Sequence, residues 1–115
     1  MRPDAEEILH LILTRLDEMK AEDTLTIDLR DKSSIGDYMV VSSGRSQRHV
    51  GSVADRIVED LHKAGAAARV EGVPHCDWVL IDAGDVIVHV FRPEVRAFYN
   101  LEKMWVANRP AQRAS

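Results

Sequence analysis

The chain has 115 residues, 45% of them hydrophobic and 30% charged, with a formal net charge of −4. That length fits one domain with one core, and the balance is that of a globular protein rather than a disordered or membrane-spanning one. No apolar run approaches the roughly 20 residues that cross a bilayer, the acidic start from Met1 to Glu7 is unlike a secretion signal, and the negative charge argues against wrapping of nucleic acid by many cations.

Asp4 followed three residues later by Glu7 reads as a capping box. Ile8, Leu11, Ile12, Leu16 and Met19 then recur at helical spacing, which predicts a first helix over about residues 4–21. Leu25, Ile27 and Leu29 alternate with Thr26 and Asp28, the pattern of a strand with one buried face, and the polar stretch 31–36 ends it. Tyr38 to Ser43 reads as a more fully buried strand. Gly44-Arg45-Ser46 predicts a tight turn into a second helix, capped by Ser46 and carrying Val50, Val53, Ala54, Ile57 and Leu61 as one apolar stripe. Gly65 stands where a left-handed cap closes such a helix.

A strand near residues 67–71 follows, then two β-rich runs, Trp78 to Asp82 and Val86 to Phe91, joined through Ala83-Gly84-Asp85 at hairpin spacing. Pro93 can open a last helix without losing a needed backbone donor, and Phe98, Leu101, Met104 and Trp105 recur along it. Residues 108–115 show no periodicity and are expected to form a frayed tail after a single domain over 1–107. Strands interleaved with helices imply an α/β fold, a mixed sheet of about five strands flanked by helices, with a right-handed crossover in the central strand–helix–strand unit.

Chemical motifs are sparse. The Gly44-Arg45-Ser46 turn lies where many folds bind phosphate, since backbone donors and the helix dipole favour an anion there. It has neither the Gly-Lys-Ser/Thr ending nor the three-glycine pattern of the common nucleotide fingerprints, so a plain turn and cap is the better reading. His75 and Cys76, with His62 or His89, lack the paired spacing of a zinc site, and no metal or cofactor is expected. Cys76 is the one cysteine, which cannot pair within the chain and suits a reducing compartment, so a cytoplasmic location is expected. Aspartates at strand ends (Asp28, Asp31, Asp37, Asp82, Asp85) are accounted for by turn hydrogen bonding. A metal-assisted nucleotidyltransferase site would want two carboxylates on alternate positions of one strand, and Asp37-Tyr38-Met39 puts methionine at the second. What remains is a late concentration of large amphipathic side chains, Trp78, His89, Phe91, Phe98, Tyr99 and Trp105, with Arg96, Tyr99 and Glu102 three apart on one side of the last helix. Aromatic and arginine residues of this kind anchor protein interfaces.

In order, Gly44-x-Ser46-x-Arg48-His49-Val50, Glu71-Gly72, the run from Trp78 to Phe91, and Arg96-x-Phe98-Tyr99-x-Leu101-Glu102-x-x-Trp105 resemble the signature of the RsfS/Iojap family of ribosomal silencing factors. Ser33-Ser34 and Asp37-Tyr38 ahead of an apolar strand also fit. The resemblance runs from the first helix to Trp105, departing mainly at Met104, where leucine is more usual. It implies a nucleotidyltransferase-like topology without the catalytic site, so no enzyme activity. It also implies a partner, the large ribosomal subunit, reached through its ribosomal protein numbered fourteen. Bound there, the chain would block joining of the small subunit and repress translation, chiefly under nutrient limitation. No membrane contact and no direct nucleic-acid readout are expected, and the resemblance allows for a homodimer. The hairpin and last helix are the expected docking surface, with Trp78 as anchor and Asp82, His89, Arg96, Tyr99 and Glu102 around it; Gly44, Ser46 and Arg48 are candidates for its margin. The rival expectation is a nucleotide-binding or nucleotidyltransferase-like enzyme using the Gly44–Ser46 turn for phosphate and Asp37 with a second carboxylate for a divalent ion.

Overall fold

The computed structural model of the chain describes residues 3–30, 36–72 and 75–94. They form α1 (Ala5–Glu18), β1 (Glu22–Asp28), β2 (Tyr38–Ser43), α2 (Gln47–Lys63), β3 (Arg69–Glu71), β4 (Trp78–Asp82) and β5 (Val86–Phe91). α1 starts where the sequence says it should, because the Asp4 carboxylate accepts from the Glu7 backbone N–H while the Glu7 carboxylate accepts from that of Asp4. It stops at Glu18, short of the expected end near residue 21, because Lys20 turns left-handed at φ 61° and the Ala21 N–H folds back onto the Leu16 carbonyl. α2 begins after Ser46, whose hydroxyl accepts from the His49 N–H, and it closes with Gly65 at φ 88°.

The sheet order is β1-β2-β5-β4-β3. β2 and β5 run parallel at its centre, and the other neighbours are antiparallel, including the expected β4–β5 hairpin. These pairings make β3 parallel to β2, so the α2 crossover lands two strands beyond β5 rather than beside its starting strand. The hairpin turn is held by Ala83 N–H donating to the Val86 carbonyl, with Gly84 at φ 86°. The Asp85 carbonyl then accepts from both Asp37 N–H and Tyr38 N–H, which fixes where β2 begins.

One face of the sheet is covered by both described helices. Ile8, Ile12 and Leu16 of α1 and the whole predicted stripe of α2 bury against Val40, Val79, Ile81, Val88 and Val90. Asp60 of α2 clasps the two helices together: one carboxylate oxygen meets Arg15 Nε of α1 and lies 2.9 Å from Arg56 Nε. Those guanidinium hydrogen bonds hold the Asp60 carboxyl below its ordinary value of 3.8. β1 departs from the one-face-buried expectation. Leu25 is 37% exposed at the sheet edge, and the buried member of the series is Leu29, just past the strand. A register shift between Glu22 and Leu25, with Asp23 at φ 52°, bends the start of this edge.

Candidate docking face

Alternation along β4 and β5 sends Val79, Ile81, Val86, Val88 and Val90 to the helix-covered side. It sends Trp78, Leu80, Asp82, Ile87, His89 and Phe91 to the other. The ladder sets that second face in rows. Trp78 pairs with Phe91; Leu80 with His89, then Val41 and Leu25; Asp82 with Ile87, then Met39 and Ile27. Leu29, Met39, Val41 and Phe91 make a small buried cluster, with Ile27 and Trp78 half-buried against it. Leu80 and Ile87 are half-buried too. Neither was expected at the site, although the period-two pattern of both runs was the signal that could have placed them beside Trp78.

Three rings dominate this face. Trp78 stacks on Phe91 with centroids 5.0 Å apart and planes 24° from parallel, and His89 lies 5.9 Å from each. The Trp78 Nε1–H donates to His89 Nδ1 at 3.0 Å. An indole nitrogen can only donate, so Nδ1 is the acceptor and a neutral ring carries its proton on Nε2. Burial pushes the His89 pKa down to about 4.

The backbone under Trp78 is set by Gly72. At φ 89° a Cβ on Gly72 would lie 2.2 Å from the Trp78 carbonyl oxygen, so only glycine lets the chain pass there. Next to it, the Asp77 carboxylate accepts from Gln47 Nε2 at 2.9 Å, and its pKa is lowered by that bond first and by the Arg92 charge second. Arg92 Nε lies 2.9 Å from the same carboxylate and forms an ion pair with it. Asp82 is exposed, and its Oδ1 accepts from the Gly84 N–H, so one oxygen serves the turn. Of the six residues expected at the interface, Trp78, Asp82 and His89 therefore share one face. Arg96, Tyr99 and Glu102 lie outside the described residues.

The Gly44–Ser46 turn has a structural explanation. A Cβ on Gly44 would meet Val50 Cγ2 at 2.7 Å and its backbone nitrogen at 3.0 Å. Two backbone donors that could meet a phosphate are already used, Arg45 N–H by His49 Nδ1 and His49 N–H by the Ser46 hydroxyl. Asp37 and Gly44 stand at opposite ends of β2, roughly 20 Å apart at about 3.3 Å per residue, so the rival site's phosphate turn and metal carboxylate do not face one substrate. Near Asp37, a hollow of about 410 Å³ also holds Arg30, Tyr38 and Asp85. A larger one of about 680 Å³, between the start of α1 and the end of α2, contains Asp4 and Glu7, the two side chains that cap α1. Among the described residues no three His, Cys, Asp or Glu side chains converge as a metal site. The Cys76 thiol is pushed up by burial and by Asp55 and Asp77, which disfavours the thiolate a ligand or nucleophile needs.

A family model described as "Ribosomal silencing factor during starvation" matches residues 2–115. The chain belongs to the RsfS family. Ribosomal silencing factor RsfS of Zymomonas mobilis is 52% identical over 103 residues, covering 89% of this chain and 77% of that protein. A crystal structure of a Chromobacterium violaceum protein superposes with a TM-score of 0.88 at 35% identity, covering 94% of this chain and 91% of the other. A more distant mouse relative, named mitochondrial assembly of ribosomal large subunit protein 1, is 28% identical over 84% of this chain and 44% of its own length. The RsfS relatives are named as silencing factors, and no described helix is long and apolar enough to cross a membrane.

Proposed function

We propose that this RsfS-family chain binds the large ribosomal subunit in the cytoplasm through the ribosomal protein numbered fourteen and sterically blocks joining of the small subunit, chiefly under nutrient limitation. The observation that carries this reading is the half-buried Trp78 ring, stacked on Phe91 and flanked by Leu80, Ile87 and His89 on the face opposite α1 and α2. An aromatic side chain with an apolar body and a polar rim is the usual anchor of a protein interface. Asp82 supplies negative charge at its margin, and a net charge of −4 suits a basic partner such as a ribosomal protein. The mouse relative's name, which ties that protein to the large subunit, favours the same side of the ribosome. Arg96, Tyr99 and Glu102 belong to the proposed surface as sequence-based candidates. The reading involves no reaction, and it leaves room for a homodimer of the unbound chain.

The deciding experiment is gradient sedimentation of purified subunits with wild-type protein and with Trp78→Ala. Wild type should travel with the large subunit and reduce joined ribosomes. Trp78→Ala should lose both effects, since an anchor removed costs about 2 kcal/mol or more, roughly a thirtyfold loss of affinity. Wild-type protein left at the top of the gradient overturns the ribosome assignment. Binding by Trp78→Ala within a few-fold of wild type overturns the anchor.

A further inference from the structure

His89 is an unusual residue for the middle of a central strand. It is 7% exposed on β5, with Val41 of β2 and Leu80 of β4 as its ladder neighbours. A buried polar ring needs a reason to be there, because an aliphatic side chain would bury with no desolvation penalty. The Trp78 indole supplies that reason, since its Nε1–H donates to His89 Nδ1. Trp78 is diagonal in the ladder to His89, which lies two residues along β5 from Trp78's own partner Phe91. Stacking on Phe91 sets the plane of the indole. The hydrogen bond adds a direction, because it favours the side-chain rotamer whose N–H edge points at His89.

We propose that His89 is a positioning residue for docking: its Nδ1 holds the Trp78 indole in one rotamer, so that the partner meets a pre-set ring. This deepens the docking reading and rests on Trp78 being the anchor. Pre-setting matters because an interface side chain that must be ordered on binding costs affinity, and one already fixed does not. The arrangement requires a neutral imidazole, since a proton on Nδ1 would leave two donors facing each other. The surroundings supply that condition. The neighbours of His89 on β2 and β4 are apolar, and the nearest charged residues in register on this face are Asp82, diagonal to it on β4, and Glu71, one strand further on β3. Burial is the cause that keeps the ring neutral down to about pH 4. The rotamer is therefore held across the whole range in which ribosomes work.

The test uses the full chain with Trp105→Phe, which leaves Trp78 as the one indole. Its Nε1–H resonance should be shifted downfield, slow to exchange with water, and constant from pH 8 to pH 5. His89→Phe, which keeps a ring but removes the acceptor, should return the resonance to the free-indole position and weaken large-subunit binding about five- to tenfold. His89→Gln, which restores an acceptor oxygen, should recover part of both. In a Trp78→Phe background, which has no N–H to hold, His89→Phe should change binding little further. An unshifted, rapidly exchanging indole in the parent protein overturns the proposal, and so does wild-type affinity in His89→Phe. Wild-type affinity in Trp78→Ala defeats the anchor assignment and this proposal together, and the indole resonance of the parent protein then tells whether the hydrogen bond exists without that use.

Discussion

The two faces of the sheet are built to different standards. Under α1 and α2, seventeen buried hydrophobic residues among those described form one continuous core, and the polar groups near it are spent on structure, Asp60 with Arg15 and Arg56 above all. On the other face the described cluster has four buried members, Leu29, Met39, Val41 and Phe91, and around it lie half-buried Trp78, Leu80 and Ile87. That face also holds the one imidazole whose pKa is driven far down. The contrast is the one the docking proposal requires, with stability on one face and recognition on the other. The first face saturates its apolar contacts within the chain, while the second keeps large side chains in fixed positions with part of their surface accessible.

Substitutions should act differently on the two faces. Ile12→Ala, on the helix-covered side and fully buried, should destabilise by roughly 3 kcal/mol through lost burial and the cavity left. In chemical denaturation this should appear as a lower midpoint with no selective loss of subunit binding in protein that remains folded. A stability change below about 1 kcal/mol would show that the helices are not the main source of the core.

The second face should reveal itself through pH. In the unfolded chain His89 titrates near 6.5, whereas in the folded chain it stays neutral down to about 4. Between those values the unfolded state takes up a proton that the folded state refuses, so wild type should lose stability as the pH falls through that window, by roughly 3 kcal/mol in all. His89→Phe should lack this slope in denaturation measured at pH 7.5, 6, 5 and 4.5. Equal slopes in the two proteins would place the titrating group elsewhere. Asp60 behaves oppositely in position: its folded pKa is lowered from 3.8, so its stabilisation is present above that value and disappears as the pH falls below it through the folded value. Asp60→Asn should cost about 1–2 kcal/mol at neutral pH, and the difference from wild type should vanish only in strong acid. The smallest effect belongs to the sheet edge. Leu25→Lys, at a position already 37% exposed, should shift stability by no more than about 0.5 kcal/mol.

Much of the first face was readable from spacing. The capping box at Asp4 and Glu7, the Ser46 cap and the stripe from Val50 to Leu61 each depend on residues within a few positions of one another, and local geometry then decides the outcome. The hairpin was legible for the same reason. Misreadings arose where the deciding partner was distant or the chain left regular geometry. Leu25 fits a buried alternation, but β1 is an edge strand, and strand order is a property of the whole sheet. The end of α1 turned on the left-handed Lys20 rather than on the apolar repeat.

For the proposed docking face, the sequence by itself determined the kinds of residue: a tryptophan, an imidazole and an alternating apolar run, in a chain that belongs to the RsfS family. Period two also determined that Trp78 and His89 point to the same side of their strands. Only the tertiary structure decided that they meet. Trp78 and His89 lie eleven positions apart and are brought to 3.0 Å by the β4–β5 register, which the Ala83–Asp85 turn fixes. It also decided why glycine stands at 72, because the 2.2 Å approach to the Trp78 carbonyl exists only once β3 and β4 are paired. Side-chain type is written in the chain one residue at a time, whereas contact between strands depends on register, and register is settled by every pairing in the sheet at once.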